Sequence, residues 1–336
     1  MADEGSRARP LDGARRLSLL DVCSGAGGLA LGLEQAGFDP VMLIDNLPVA
    51  CETLRLNRPW WDICEVDLVE FDPVDAKQVY DVDLLSAGLP RVRASAAVNR
   101  PAGNSDEITL IRATIMLMHA VQPRALLIEN MAKLIEDDEH RDIRDFVEEE
   151  LDHLGYRGRW FVMNAADYRV PQDRRQGIFV AMKGDGIDAF EEPARVLEPP
   201  ITVGDALRAS MASRGWAQAD EWADYANRLA PTLVGGSWNR GGGDLGPTGT
   251  KNAWARMGVN GGSLADELPG PEYRWRPDLV RSELIRLTVD QTAHLQGFPS
   301  DWKFAGGKTA RYRQVGNASP PPVARALGEA LRKVLL

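Results

Sequence analysis

The feature that most constrains this chain is a repeated switch of hydrophobic period in its first half. "LSLLDV" (17–22) is a short apolar run and reads as a buried strand. "CSGAGGLALGLEQAGF" follows, a glycine-rich turn and then an amphipathic helix that Gly37 stops. "PVMLID" (40–45) reads as a strand, "PVACETLRLN" as a helix and "DVDLLSAG" (81–88) as another strand. "NSDEITLIRATIMLMHAV" (104–121) reads as a helix capped by Asn104 or Ser105. "PRALLIEN" (123–130) is a strand entered through a proline, "FVEEELDHLGY" a helix closed by Gly155, and "GIFVAM" (177–182) a strand. The acidic stretch "EDDEHRDIRDFVEEE" (136–150) reads as one solvated helix. Strands alternating with helices imply an α/β fold: a parallel sheet with helices on both faces.

That rhythm ends near residue 185. "FEEPARVLEPP" (190–200) is linker-like, and residues 235–262 contain ten glycines. Such a stretch is too rich in glycine for a helical layer and reads as loops with room for short strands. "PPPVARALGEALRKVL" at the end is again a helix. The expected organisation is a tail (1–15), a larger domain (16–188) and a smaller domain (189–283). A C-terminal part (284–336) follows, with its last helix returning to the larger domain. A chain of 336 residues suffices for two domains.

No apolar run approaches the roughly 18 residues of a membrane span, and "MADEGSRARPLDGARR" lacks the apolar core of a secretion signal. Cys23, Cys51 and Cys64 have neither a metal-ligand spacing nor a disulfide framework. No metal is expected, no membrane association, and a reducing cytoplasm as the location. The net charge of −10 opposes general binding to a polyanion. The charge is uneven, however: Arg91, Arg93 and Arg100 cluster, as do Arg169, Arg174 and Arg175.

"DVCSGAGG" ends a strand and opens a helix, where glycines let backbone approach a ligand and the helix N-terminus favours polar or anionic groups. Asp45, 24 residues after Asp21, stands where an acid commonly binds a ribose hydroxyl pair. No Gly-Lys-Ser/Thr of a P-loop follows, and glycines at 25, 27 and 28 do not fit dinucleotide spacing. By itself the stretch is either a ligand-binding turn or a tight turn without a ligand.

"DVCSGAGGLALGLEQAGF", "IENM", "YRVPQDRRQGIFVA", "RLTVDQTAHLQGFPSDW" and "RQVGNASPPPVARALGEAL" occur in that order. Together they resemble the ordered motifs of the DNA cytosine-5 methyltransferase family, over residues 17–185 and about 284–336. The resemblance implies a Rossmann-like S-adenosylmethionine-dependent domain, a small glycine-rich target-recognition domain, and a cytosine flipped out of double-stranded DNA. It also implies a setting of restriction–modification. In the family a cysteine thiolate attacks C6, a glutamate holds the ring nitrogen and amino group, and a basic residue holds the ring carbonyl.

Asp21, Ser24, Gly25, Ala26, Gly27 and Gly28 match the cofactor turn. Asp45 and Asn46 fall at the ribose position, Asp67 and Leu68 near the adenine, and Gly88 at a strand end. Asn317 and Ser319 match the last motif, which closes over the methionine end. Cys23, where the family often has Phe, is expected only as a small buried side chain. Arg93, Arg100, Gln176, Ser237 and Arg240 are the candidate nucleic-acid contacts.

On the target-base side Glu129-Asn130 is kept, and Gln172 and Arg174 fit. Glu129 and Arg174 are therefore candidate catalytic groups, although Glu129 also reads as a strand-end acid capping a turn. Gln176 replaces the second family arginine, which would hold the cytosine carbonyl. In "GLPRVRAS" Pro90 and Ser95 fit, but Arg91 stands at the nucleophile's place, Val92 replaces the next residue and Ala94 an aromatic. A guanidinium with pKa above about 12 cannot act as a thiolate does. Arg91 and Arg93 are either clamps on DNA or solvated loop charges.

The net charge of −10 keeps open a methyltransferase-like scaffold with no nucleic-acid role, and two functional readings stand ahead of it. In one, the chain binds cofactor and DNA but is inactive alone in conventional C5 methylation, serving recognition, regulation or an active methyltransferase subunit. In the other, it is an active nucleic-acid methyltransferase that needs no motif Cys.

Overall fold

The computed structural model describes residues 15–90, 106–235 and 243–336. In chain order the strands are β1 (Leu17–Val22), β2 (Phe38–Asp45), β3 (Ile63–Glu65), β4 (Leu84–Gly88) and β5 (Ala125–Met131). β6 (Tyr156–Asn164), β7 (Gln172–Asp173), β8 (Arg175–Lys183) and β9 (Ala230–Pro231) follow. Seven of them form one sheet in the order β3-β2-β1-β4-β5-β8-β6, and β7 pairs with β9 separately. β3, β2, β1, β4 and β5 run parallel, as alternation with helices requires. α1 (Gly28–Gln35) and α2 (Pro48–Asn57) make the first crossovers, and α3 (Asp106–Val121) joins β4 to β5.

The purely parallel expectation fails at one edge, because β8 runs antiparallel to β5. β6 was not legible as a strand. Its sequence "YRGRWFVMN" exposes three consecutive residues after Tyr156, so no clean period of two appears. The acidic stretch is also not one helix. α4 (Lys133–Glu136) ends, a 3-10 turn covers Asp138–His140, and α5 (Arg141–His153) begins afresh. The Arg144 guanidinium donates to the Leu134 carbonyl at 2.7 Å and the Asp137 carbonyl at 3.1 Å, satisfying the end of α4. Buried His140 turns the chain inward at the break.

The chain divides into two compact units: 1–162 with 176–193 and 324–336, and 163–175 with 194–323. The first holds the core between the sheet and its helices, where Leu20, Val22, Leu85 and Ile128 meet Ile115, Met118 and Val147. The end of α11 (Pro321–Leu335) belongs to it and buries Ala324, Leu327 and Leu331.

The second unit contains α6 (Val203–Ala212), α7 (Ala219–Tyr225), α8 (Thr248–Ala255), α9 (Val289–Leu295) and α10 (Lys308–Asn317). α6 and α9 open with reciprocal capping boxes, Thr202 with Asp205 and Thr288 with Gln291. α8 corrects the reading of 235–262 as loops. Its Trp254 is fully buried, and burying an indole outweighs the roughly 1 kcal/mol that Gly249 costs a helix. No helix among the described residues is long and apolar enough to cross a membrane.

Candidate functional site

β1 leads into a turn whose backbone is left-handed at Cys23 (φ 53°), Gly25 (φ 53°) and Gly27 (φ 81°). Glycine takes that conformation without steric penalty; Cys23 does so against its Cβ. The turn is held from three sides. Ser24 N–H donates to the Ile44 carbonyl at 3.1 Å, and Ser24 Oγ donates to the Asp21 carbonyl at 3.0 Å. Asp45, at the end of β2, accepts from Gly25 N–H at 2.7 Å and from Leu47 N–H at 2.8 Å. α1 then starts at Gly28 with no side-chain cap, so its first N–H groups carry no side-chain acceptor. A Cβ built on Gly25 would meet nothing within 4 Å, which leaves open space in front of the turn.

Asp21 is fully buried, and the Ser86 hydroxyl of β4 donates a hydrogen bond to its Oδ1. Its Oδ2 has no hydrogen-bond partner among the described residues. Burial pushes the Asp21 carboxyl up to about 7, opposed by the hydroxyls of Ser86 and Ser24. Burial likewise raises Asp45, against its two backbone donors. Asn46 donates to Asp67 at 2.8 Å, Leu68 is buried beside it, and a Cβ on Gly88 would lie 3.6 Å from the Cys23 carbonyl.

Asp21, Ser24, Gly25, Ala26, Gly27, Gly28, Asp45, Asn46, Asp67, Leu68 and Gly88 thus gather at the C-terminal ends of β1 to β4. Strand order reverses between β1 and β4, the place where open α/β sheets bind ligands. Uncapped helix N–H groups fit a carboxylate, and two buried carboxyls beside open space fit hydroxyl and ammonium groups, all of which S-adenosylmethionine carries. Asn317 and Ser319 belong to the second unit, where Asn317 is exposed at the end of α10 and Ser319 is buried.

At the end of β5, Glu129 and Asn130 lie opposite β8, with Met131 facing Gln176 and Asn130 facing Gly177. The strands approach so closely that a Cβ on Gly177 would sit 2.6 Å from the Met131 carbonyl. Gln176 Nε2 donates to Glu129 Oε1 at 2.8 Å, both side chains being buried. The Glu129 carboxylate therefore takes a side-chain donor from β8, rather than capping a turn only. Asn130 Nδ2 donates to the Pro90 carbonyl at 3.1 Å, and Leu89 N–H donates to the Glu129 carbonyl at 3.2 Å. Asn130 thereby fixes the chain just before Arg91. This pairing of Gln176 with Glu129 and the hold of Asn130 on Pro90 were not foreseen. The only signal was the co-occurrence of "EN" and "QDRRQ", which carries no distance.

Arg174 needs a correction. It is 1% exposed, and its guanidinium donates to the carbonyls of Leu233 (3.0 Å), Gly316 (3.2 Å) and Ala318 (3.0 Å). It ties the second unit together instead of standing open toward a base. Gln172 does the same work beside it, donating to Gln296 at 2.8 Å and accepting from Leu233 N–H at 2.8 Å. Gln296 and Leu233 went unnoticed in the sequence, because glutamine and leucine are ordinary in any motif.

Arg91, Arg93, Arg100, Ser237 and Arg240 lie outside the described residues. The three cysteines are free thiols. Cys23, in the turn, is only partly buried, and desolvation with Asp45, Asp21 and Asp67 nearby raises its pKa. Cys51 in α2 is pushed up to about 12 by burial and then by Asp45, and Cys64 in β3 is raised by burial.

The sequence matches the family described as C-5 cytosine-specific DNA methylase over residues 17–333. It is 40% identical to the Type II methyltransferase M.NgoMIV of Neisseria gonorrhoeae, covering 94% of this chain and 97% of that relative. It is 37% identical to the Type II methyltransferase M.NaeI of Lentzea aerocolonigenes, over 95% and 75% of the two chains. Among solved structures, the S. pombe Dnmt2 methyltransferase superposes with a TM-score of 0.62 at 18% identity, covering 95% of this chain and 99% of that one. At that identity the superposition speaks for the fold alone. With its ordered motifs, its sheet and these relatives, the chain belongs to the C-5 cytosine-specific DNA methylase family.

Proposed function

We propose that this chain binds S-adenosylmethionine and double-stranded DNA, and that alone it does not carry out conventional C5 methylation of cytosine. Members of the family use S-adenosylmethionine, which when bound supplies a methyl group on a sulfonium. On this reading the turn of Ser24 to Gly28 receives the methionine part, Asp45 and Asn46 the ribose, and Asp67 and Leu68 the adenine. Glu129, steadied by Gln176, holds the edge of a flipped cytosine.

The observation that carries the reading is Arg91 directly after Pro90. An arginine offers no nucleophile at neutral pH. None of the three thiols replaces it: Cys23, Cys51 and Cys64 belong to the turn after β1, to α2 and to β3, and all titrate above the ordinary range. Arg91, Arg93, Arg100, Ser237 and Arg240 then serve DNA binding. The likeness to Type II methyltransferases supports a role beside DNA modification, as a reader, regulator or partner of an active methyltransferase chain.

The preserved cofactor turn favours a second reading, an active nucleic-acid methyltransferase without the motif Cys. Calorimetric titration with S-adenosylmethionine, followed by tritiated methyl transfer to mixed-sequence DNA, separates the two. The first reading expects cofactor binding without transfer, and transfer once Arg91→Cys is combined with Gln176→Arg. Transfer by the unaltered protein would establish the second reading instead.

A further inference from the structure

The second unit carries an open pocket of about 240 Å³ that the reading above does not use. Arg228 and Arg256 line it together with Asp173, and Pro231, Ala253 and Met257 form its apolar wall. Both arginines are exposed, and neither guanidinium has a hydrogen bond or ion pair among the described residues. Several other cations of this unit are paired with carboxylates: Arg208 with Asp220 and Asp224, Arg214 with Glu267, Arg195 with Asp167, Lys251 with Asp244 and Lys308 with Asp266. In a chain with 49 acidic and 39 basic residues, two arginines without a carboxylate in one pocket stand out. Asp173 does not neutralise them. Among the described residues it forms no ion pair with either, and its Oδ1 accepts from Asn164 at 2.8 Å. Two guanidinium groups and one carboxylate leave the pocket with a net charge of +1.

We infer that Arg228 and Arg256 form a binding site for the phosphodiester backbone of duplex DNA. Guanidinium forks match phosphate oxygens in pairs, and the apolar wall suits the face of a deoxyribose. Contacts of this kind fix the register of a protein on DNA without reading sequence. The inference rests on the reading of the chain as a DNA-binding methylase homologue.

The test is fluorescence anisotropy of a labelled mixed-sequence duplex titrated with the full chain across a series of potassium chloride concentrations. Each neutralised phosphate contributes about 0.9 to the slope of log affinity against log salt, so Arg228→Ala with Arg256→Ala should lower that slope by roughly 1.8. The loss should be the same on unrelated sequences. Arg228→Lys with Arg256→Lys should keep most of the slope, because the charge remains, and Arg208→Ala should leave it unchanged. Thermal unfolding of each variant separates loss of contact from loss of fold. If the parent binds DNA with a salt-dependent affinity and the double alanine variant keeps its slope, this inference fails while the DNA reading stands. A parent without salt-dependent affinity for DNA overturns both.

Discussion

The turn after β1 and the stretch Gln172–Gln176 are both parts of the family's pattern, yet they are held by different means. The turn is a backbone device. Three left-handed residues set its path, and one carboxylate, Asp45, joins its Gly25 N–H to the Leu47 N–H that follows β2. The stretch is a side-chain device. Arg174 and Gln172 reach buried carbonyls and amides far along the chain, and Gln176 reaches Glu129. The first tolerates little change because glycine is hard to replace at positive φ. The second depends on which side chains it carries, and Gln176 stands there where the resemblance to the family expects an arginine.

The strongest test of this contrast is Arg174→Ala. It strips three buried carbonyls of a charged donor, and the loss should be on the order of 4 kcal/mol in urea unfolding. A loss below about 1 kcal/mol, the level of an ordinary surface change, would show that the guanidinium is not a tie. Asp45→Ala should follow, leaving the N–H groups of Gly25 and Leu47 without their acceptor. We expect about 2 kcal/mol of stability lost. S-adenosylmethionine binding should weaken about tenfold, or 1.4 kcal/mol, by calorimetry. Unchanged cofactor affinity would remove Asp45 from the binding site.

The third prediction concerns pH. The Asp21 carboxyl titrates near 7 in the folded chain against an ordinary 3.8, so the folded state keeps a proton that the unfolded state releases. Its contribution to stability is therefore complete below about 3.8 and declines as pH rises to about 7, then stays level. Asp45 shifts in the same direction. Asp21→Asn, uncharged throughout, should flatten the decline and be the more stable protein above pH 7. Parallel stability profiles for parent and variant, by denaturant unfolding across that range, would count against it. The smallest effect is expected for Gln176→Ala, where a double-mutant cycle with Glu129→Ala should give a coupling of about 1 kcal/mol. Additive losses would mean that the 2.8 Å bond between them holds nothing in place.

The parallel strands, the glycine turn and the ordered motifs were legible because each is written locally, in period, turn residues and spacing. The same local reading placed Asp21, Gly25 and Asp45 together, since they follow strand ends that a parallel sheet must align. Local reading failed where partners are distant. The acidic helix breaks because Arg144 satisfies carbonyls 7 and 10 residues before it. α8 forms in a glycine-rich stretch because Trp254 finds a buried place. β8 runs antiparallel to β5 and lies between β5 and β6 in the sheet, an order that no local period records. Arg174 is the sharpest case: its position suggested a group facing a base, but its partners lie 59, 142 and 144 residues away. The sequence alone determined the parallel part of the sheet, the glycine turn after β1 and the arginine that follows Pro90. Only the tertiary structure decided which polar side chains remain open and which are consumed as ties. A buried donor must be paired wherever the fold brings it an acceptor, and no local pattern records that meeting.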